Sequence, residues 1–198
     1  MDRRALLLGG LAAPMIVPAL AQTGGSSSTM QPNSSGMNRM GGPMDQADMH
    51  HIEQTMQLGM VALETSRIAM SKAQNADLKR FANFEADEQT TLAEVLRSMM
   101  DPAATAATGQ SGAMSGDMQM DAGARDMLQT LQSKQAGADF DKAYLDGQLQ
   151  GHRNLLQVQE QFLQSNPQNR EHMNVAKLAS GRIREHIALL ETMQKTIR

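Results

Sequence analysis

Hydrophobic residues recur along this chain at spacings of three and four, with polar residues between them, which is the pattern of amphipathic helices. Four long helices are predicted. The first runs from about residue 45 to 74, with Met49, Ile52, Met56, Met60, Leu63 and Met70 on one broad face. The second runs from 78 to 100, and Leu78, Phe81, Leu92, Val95, Leu96 and Met99 fall within about 60° of one direction. The third runs from about 139 to 164 on Leu145, Leu149, Leu155, Leu156 and Leu163, and stops at Asn166-Pro167. The fourth, from about 168 to 196, carries Val175, Ala179, Ile183, Leu189, Leu190, Met193 and Ile197. Asn75 is placed to cap the turn between the first two. Residues 125–134 form a further short helical pattern on Met127, Leu128 and Leu131.

Strand-like runs of β-branched residues are absent, and aromatics number four Phe, one Tyr and no Trp, so the class is all-α. The first and second helices are tightly joined, as are the third and fourth. Between the two pairs lie about 38 residues, enough to cross a bundle end to end. Two antiparallel hairpins joined by a long crossover make a ferritin-like, up-down four-helix bundle, expected over 46–198. Residues 22–45 and 101–123, rich in Gly, Ser and Met, read as a linker and a flexible crossover.

The second helix carries two glutamates, Glu85 and Glu88, in the middle of its apolar stripe. A carboxylate facing a core is strongly disfavoured unless something neutralises it. The other stripes supply partners. Glu64 lies on the first helix, with Arg67 on the same broad face. His152 is central on the third, with Asp141, Gln148 and Gln159. His186 and Arg182 are central on the fourth. Two readings follow. Glu64, Glu85, Glu88, His152 and His186 are candidate metal ligands, with Fe or Mn in the bundle core. Arg67, Asp141, Gln148 and Arg182 would then support them from behind. Alternatively, Arg67 and Arg182 neutralise the glutamates in a buried ion network. The Glu-x-x-His spacing of di-iron bundles is not met, because Glu85 is followed at i+3 by Glu88.

Composition narrows the setting. Arg3-Arg4, the apolar run Ala5 to Val17 and the small-x-small Ala19-Leu20-Ala21 describe a cleaved signal peptide over 1–21. The twin-arginine and general secretory routes both fit. The mature chain is therefore expected to be periplasmic or secreted, with no transmembrane span. It has no cysteine, hence no disulfide or thiolate metal site. Without Asp2, Arg3 and Arg4 it has 16 basic and 20 acidic residues, a formal charge of −4, which disfavours nucleic acid as a partner. Methionine is 18 of 198 residues. Met30, Met37, Met40 and Met44 precede Met49-His50-His51, soft donors that suit copper capture by the linker. No nucleophile elbow, H-E-x-x-H or phosphate loop occurs, so no catalytic residue is assigned.

Leu63-Glu64-Thr65-Ser66-Arg67-Ile68-Ala69 and Phe81-Ala82-Asn83-Phe84-Glu85-Ala86-Asp87-Glu88-Gln89 resemble the bacterial family called "domain of unknown function 4142". So do Phe140-Asp141-Lys142-Ala143-Tyr144, Gln148-x-x-Gly151-His152 and Ile183-Arg184-Glu185-His186. The resemblance covers about 46 to 196, in order, and implies an exported ferritin-like bundle. Many members carry Asp-His where this chain has Glu88-Gln89, which removes one imidazole from the second helix. The expected function is a metal-binding or stress-associated envelope protein without turnover. The alternatives are a non-enzymatic module that recruits an envelope partner, and copper sequestration by the linker.

Overall fold

The computed structural model describes residues 44–101 and 120–197. The expected signal peptide, nearly all of the 22–45 linker and most of the 101–123 crossover lie outside the described residues.

Five helices form: α1 (Gln46–Lys72), α2 (Ala76–Met100), α3 (Ala122–Ser133), α4 (Ala138–Gln164) and α5 (Arg170–Thr196). Their ends follow local chemistry. Asp45 and Asp48 form a capping box at α1, each carboxylate accepting from the other's backbone N–H. Asn75 caps α2 as its sequence position predicts, accepting from the N–H groups of Asp77 and Leu78. Asp121 caps α3 and Asn169 caps α5. Gly137, at φ 151°, takes a conformation open to glycine at the start of α4. Asn166, at φ 59°, breaks the chain after α4.

α1 and α2 form one hairpin, and α4 and α5 the other. α1 packs antiparallel to α4: Ser66 meets Tyr144, and His51 meets Gln159. α5 runs antiparallel to α2, which it touches sparingly. The long helices thus make a four-helix bundle. α2 ends and α4 begins at opposite ends of it, and of the connection between them residues 120–137 are described. The short helix α3 belongs to that connection and packs on α1 and α4 through buried Leu131.

An apolar cluster of Leu78, Phe81, Phe140, Tyr144, Leu145, Leu149 and Leu190 fills the end near the α1–α2 turn. A smaller cluster of Ile52, Met56 and Leu96 lies toward the other end. The buried face of α1 is only partly the predicted one: Ile52, Met56 and Leu63 are buried as expected. Met49 and Met70 are exposed, while Asp48, His51, Thr55, Gly59, Ala62, Ser66 and Ala69 are buried. At 100° per residue this face is rotated by roughly 80° from the methionine stripe. Small residues let α1 lie close to α4, and that approach outweighs burial of flexible methionines.

A buried carboxylate and two imidazoles at the bundle centre

Glu85 of α2, His152 of α4 and His186 of α5 converge, all three buried. Glu85 Oε2 lies 3.0 Å from His186 Nδ1 and 3.3 Å from His152 Nε2, and the two ring nitrogens are 3.1 Å apart. Two donors to one tetrahedral cation with bonds of about 2.0 Å lie ~3.3 Å from each other. The triangle therefore has the dimensions of a three-ligand set. Glu85 Oε2 is fully buried, and its close polar neighbours are these two ring nitrogens. Its two nitrogen neighbours lie beside it, at distances fit for a shared cation.

Two of the three groups, His152 and Glu85, are held by a hydrogen-bond partner behind them. His152 Nδ1 donates to the carbonyl of Gln148, 2.8 Å away, so the neutral ring presents the Nε2 lone pair to the centre. Gln89 Nε2 donates to Glu85 Oε1 at 2.8 Å, which leaves Oε2 for the centre. The outer nitrogen of His186 faces Glu88 Oε2 at 3.6 Å, beyond hydrogen-bond range. Phe81 packs against both rings, at centroid distances of 5.9 Å and 5.2 Å.

The electrostatics match this geometry. Burial raises the pKa of Glu85, but His152 and then His186 outweigh it and hold the carboxyl at about 2. Burial disfavours the imidazolium of His152, and the adjacent Glu85 reverses that and raises its pKa. The metal-free centre is thus an ionised carboxylate beside a histidine that holds its proton more tightly than usual. A cation entering it would displace that proton.

The other predicted residues fall in three places. Glu88 is only half-buried. Its carboxylate accepts from Arg182 Nε at 2.7 Å, which raises the pKa of the guanidinium. The histidines therefore answer Glu85 while Arg182 answers Glu88. Glu64 is not with the group: 34 % exposed, it pairs with exposed Arg67 on its own helix at 2.6 Å. The rotation of α1 turns both outward. Asp141 sits at the far end, where its carboxylate accepts from the backbone N–H groups of Gln74 and Asn75 at 3.0 and 2.8 Å. A centre bridged by several buried carboxylates, as two Fe or Mn ions would use, is not assembled among the described residues; one buried carboxylate with two imidazoles is.

A second buried network escaped the sequence reading. Asp48 Oδ1 accepts from His172 Nδ1 at 2.7 Å, and His172 Nε2 lies 2.8 Å from His51 Nδ1. His51 Nε2 lies 3.0 Å from Gln159 Oε1, and Gln159 Nε2 donates to Thr55 Oγ1 at 2.9 Å. The two rings are thus joined nitrogen to nitrogen, with the Asp48 carboxylate at one end of the chain and Gln159 and Thr55 at the other. Phe162 stacks on His51 at 4.0 Å. His51, expected in the Met/His copper tract, is thus a core residue of α1. The remainder of that tract up to residue 43 lies outside the described residues. A usable signal existed: His172 and His186 are fourteen residues apart, which puts them within about 40° on one helix.

Comparison with known proteins agrees with this architecture. The family model described as "Domain of unknown function (DUF4142)" matches residues 34–193, and the chain belongs to that family. No curated protein matches the chain. Among solved structures it is similar to a DUF305 fragment from Deinococcus radiodurans, at 14% identity and TM-score 0.61, covering 77% of this chain and 97% of that one. It is also similar to CopM in its Cu(II)-bound form, at 17% identity and TM-score 0.59, covering 77% and 99%. The Cu(I)-bound form of CopM gives 15% and 0.57, covering 75% and 96%. At these identities the likeness is one of fold. Among the described residues, no helix is long and apolar enough to cross a membrane.

Proposed function

We propose that this DUF4142 protein is an exported metal-binding bundle that holds one transition-metal ion between Glu85, His152 and His186. The observation that carries the reading is the buried triangle: Glu85 Oε2 lies 3.0–3.3 Å from two imidazole nitrogens that are themselves 3.1 Å apart. Two imidazoles and a carboxylate are borderline donors that suit Cu(II) and Zn(II), and the affinity order of divalent ions favours copper. Two structures of similar fold, the Cu(I)- and Cu(II)-bound forms of CopM, support the same metal. Bound copper would supply a buried positive charge and a one-electron redox couple. The protein's part is to exclude water with Phe81, to orient His152 through Gln148, and to give up the His152 proton on loading. Sequestration or delivery within the envelope suits a centre with no assigned catalytic residue.

The test is metal analysis of the full chain loaded with Cu(II) and desalted, beside Glu85→Gln. The wild type should retain about one ion per chain with a nitrogen-coupled copper resonance, and the variant should lose at least about tenfold in affinity. Equal retention by both proteins, or none by either, overturns the proposal.

A purely structural polar core is the second reading. Two observations favour it: Arg182 neutralises Glu88, and the two histidines lie within hydrogen-bond distance of each other. That reading predicts no copper retention.

A further inference from the structure

The long helices are closely packed on three sides of the bundle and open on the fourth. α1 packs on α2, α4 on α5 and α1 on α4, whereas α2 and α5 touch sparingly. Across that open side runs the ion pair of Glu88 on α2 with Arg182 on α5, Oε2 to Nε at 2.7 Å. It stands beside the buried centre. Glu88 follows Glu85 at i+3, a neighbour on the same helix surface. Its Oε2 lies 3.6 Å from the outer nitrogen of His186. Side-chain exposure rises along this line, from 0% at Glu85 and 6% at His186 to 27% at Glu88 and 50% at Arg182. His152 is as enclosed as Glu85. His186 is thus the most exposed of the three buried groups, and Glu88 lies on its solvent side.

One atom, Glu88 Oε2, faces both Arg182 and His186. A carboxylate at the rim draws cations toward the opening. While the guanidinium holds that oxygen, its positive charge occupies the place an arriving metal ion would take. The guanidinium has a second partner to fall back on: Arg182 Nη1 donates to Glu185 Oε2 at 2.9 Å, on its own helix. An ion pair between half-exposed side chains is screened by solvent and weak enough to open without disturbing the core.

We propose that Glu88 is the entry ligand of the buried centre and Arg182 is its gate. The way in lies between α2 and α5. Arg182 swings fully to Glu185, Glu88 Oε2 takes the place of part of the hydration shell of a divalent cation, and Glu85 receives the ion one helical turn inward. This rests on the metal-binding reading above and adds to it a route and a control of rate. Glu88 is not a ligand of the loaded centre. No covalent bond is made or broken, and Arg182 stays charged throughout.

The experiment is stopped-flow loading of the metal-free full chain with Cu(II) at fixed pH, followed by removal with EDTA at concentrations where the rate no longer depends on the chelator. Wild type is compared with Arg182→Gln, Glu88→Gln and Arg184→Gln. Arg184 pairs with Glu160 of α4, away from the open side, and controls for the loss of one positive charge. Arg182→Gln should both load and release copper about fivefold or more faster. Glu88→Gln should both load and release it about fivefold or more slower. Arg184→Gln should behave as the wild type. A mere charge effect at Arg182 would speed loading but slow release, so acceleration of both is the mark of a gate. Faster loading with slower release, or rates of both rim variants within about twofold of wild type, overturns the proposal and leaves the copper centre standing. Loss of copper retention by Glu88→Gln makes Glu88 a ligand of the loaded centre and overturns its entry role. No retention by the wild type overturns both readings.

Discussion

Gln89 occupies the space that Gly59 leaves by having no Cβ: a methyl there would lie 2.5 Å from Gln89 Oε1. The relationship matters because the other end of the same amide donates to Glu85 Oε1 at 2.8 Å. A missing side chain on α1 thus helps to aim the carboxylate of α2. Gly59→Ala would ordinarily stabilise a helix by about 1 kcal/mol. Here it pushes the amide away and removes a hydrogen bond to a charged group, worth ~1.5–3 kcal/mol. The expected net result is a loss of about 1 kcal/mol in urea unfolding. In a Gln89→Ala background the same substitution should instead stabilise. Additive behaviour of the two changes would contradict the relationship.

Copper loading should be pH-dependent in a defined direction. His152 has a raised pKa, so its proton competes with the metal at and above the ordinary histidine pKa of 6.5. Affinity should rise with pH through that range and level off once the imidazole is neutral. Titrations in two buffers of different ionisation enthalpy should report about one proton released per ion bound. Affinity flat between about pH 6 and 8 would contradict this.

The second network should make the metal-free protein sensitive to mild acid. Burial, then the nearby His172, lower His51 from 6.5 to about 4. The unfolded chain therefore takes up a proton at His51 in a range where the folded protein does not. Stability is fully present above pH 6.5 and falls as pH drops toward 4, by up to about 3 kcal/mol. His51→Gln should flatten the upper part of that fall in urea midpoints measured from pH 7 to 5. An unchanged slope would show that His51 is not the responsible group.

Asp141 should prove structural. Its carboxylate accepts from the N–H groups of Gln74 and Asn75, pinning the α1–α2 turn to the start of α4. Asp141→Ala should destabilise by roughly 2–4 kcal/mol, since two part-buried donors lose a charged acceptor. Copper stoichiometry should be unchanged, because the residue lies at the opposite end of α4's first turns from His152. A selective loss of metal with stability intact would reverse this assignment.

Much of the candidate centre was legible along the chain. Glu85, His152 and His186 each interrupt an apolar stripe, and the periodicity of a helix is a local property that a sequence displays. Glu88 looked equivalent to Glu85 by the same rule. It is not, because α2 and α5 touch sparingly and leave Glu88 at the rim, within reach of Arg182. Glu64 and Arg67 were misplaced for a different reason. The face of α1 was read from its methionines, whereas the bundle buries Gly59, Ala62, Ser66 and Ala69.

The sequence by itself determined the helices, the cap at Asn75, the pairing into two hairpins, and which residues interrupt the core stripes. Spacing, turn chemistry and hydrophobic period act over a few residues, so they are written in the chain. Tertiary structure alone decided which interrupting residues meet. Glu85 met two histidines 67 and 101 positions away, and His51 left its methionine tract to join His172 and Asp48. The rotation of each helix about its axis depends on how closely its neighbours approach, and that is a property of the packed bundle rather than of any one segment.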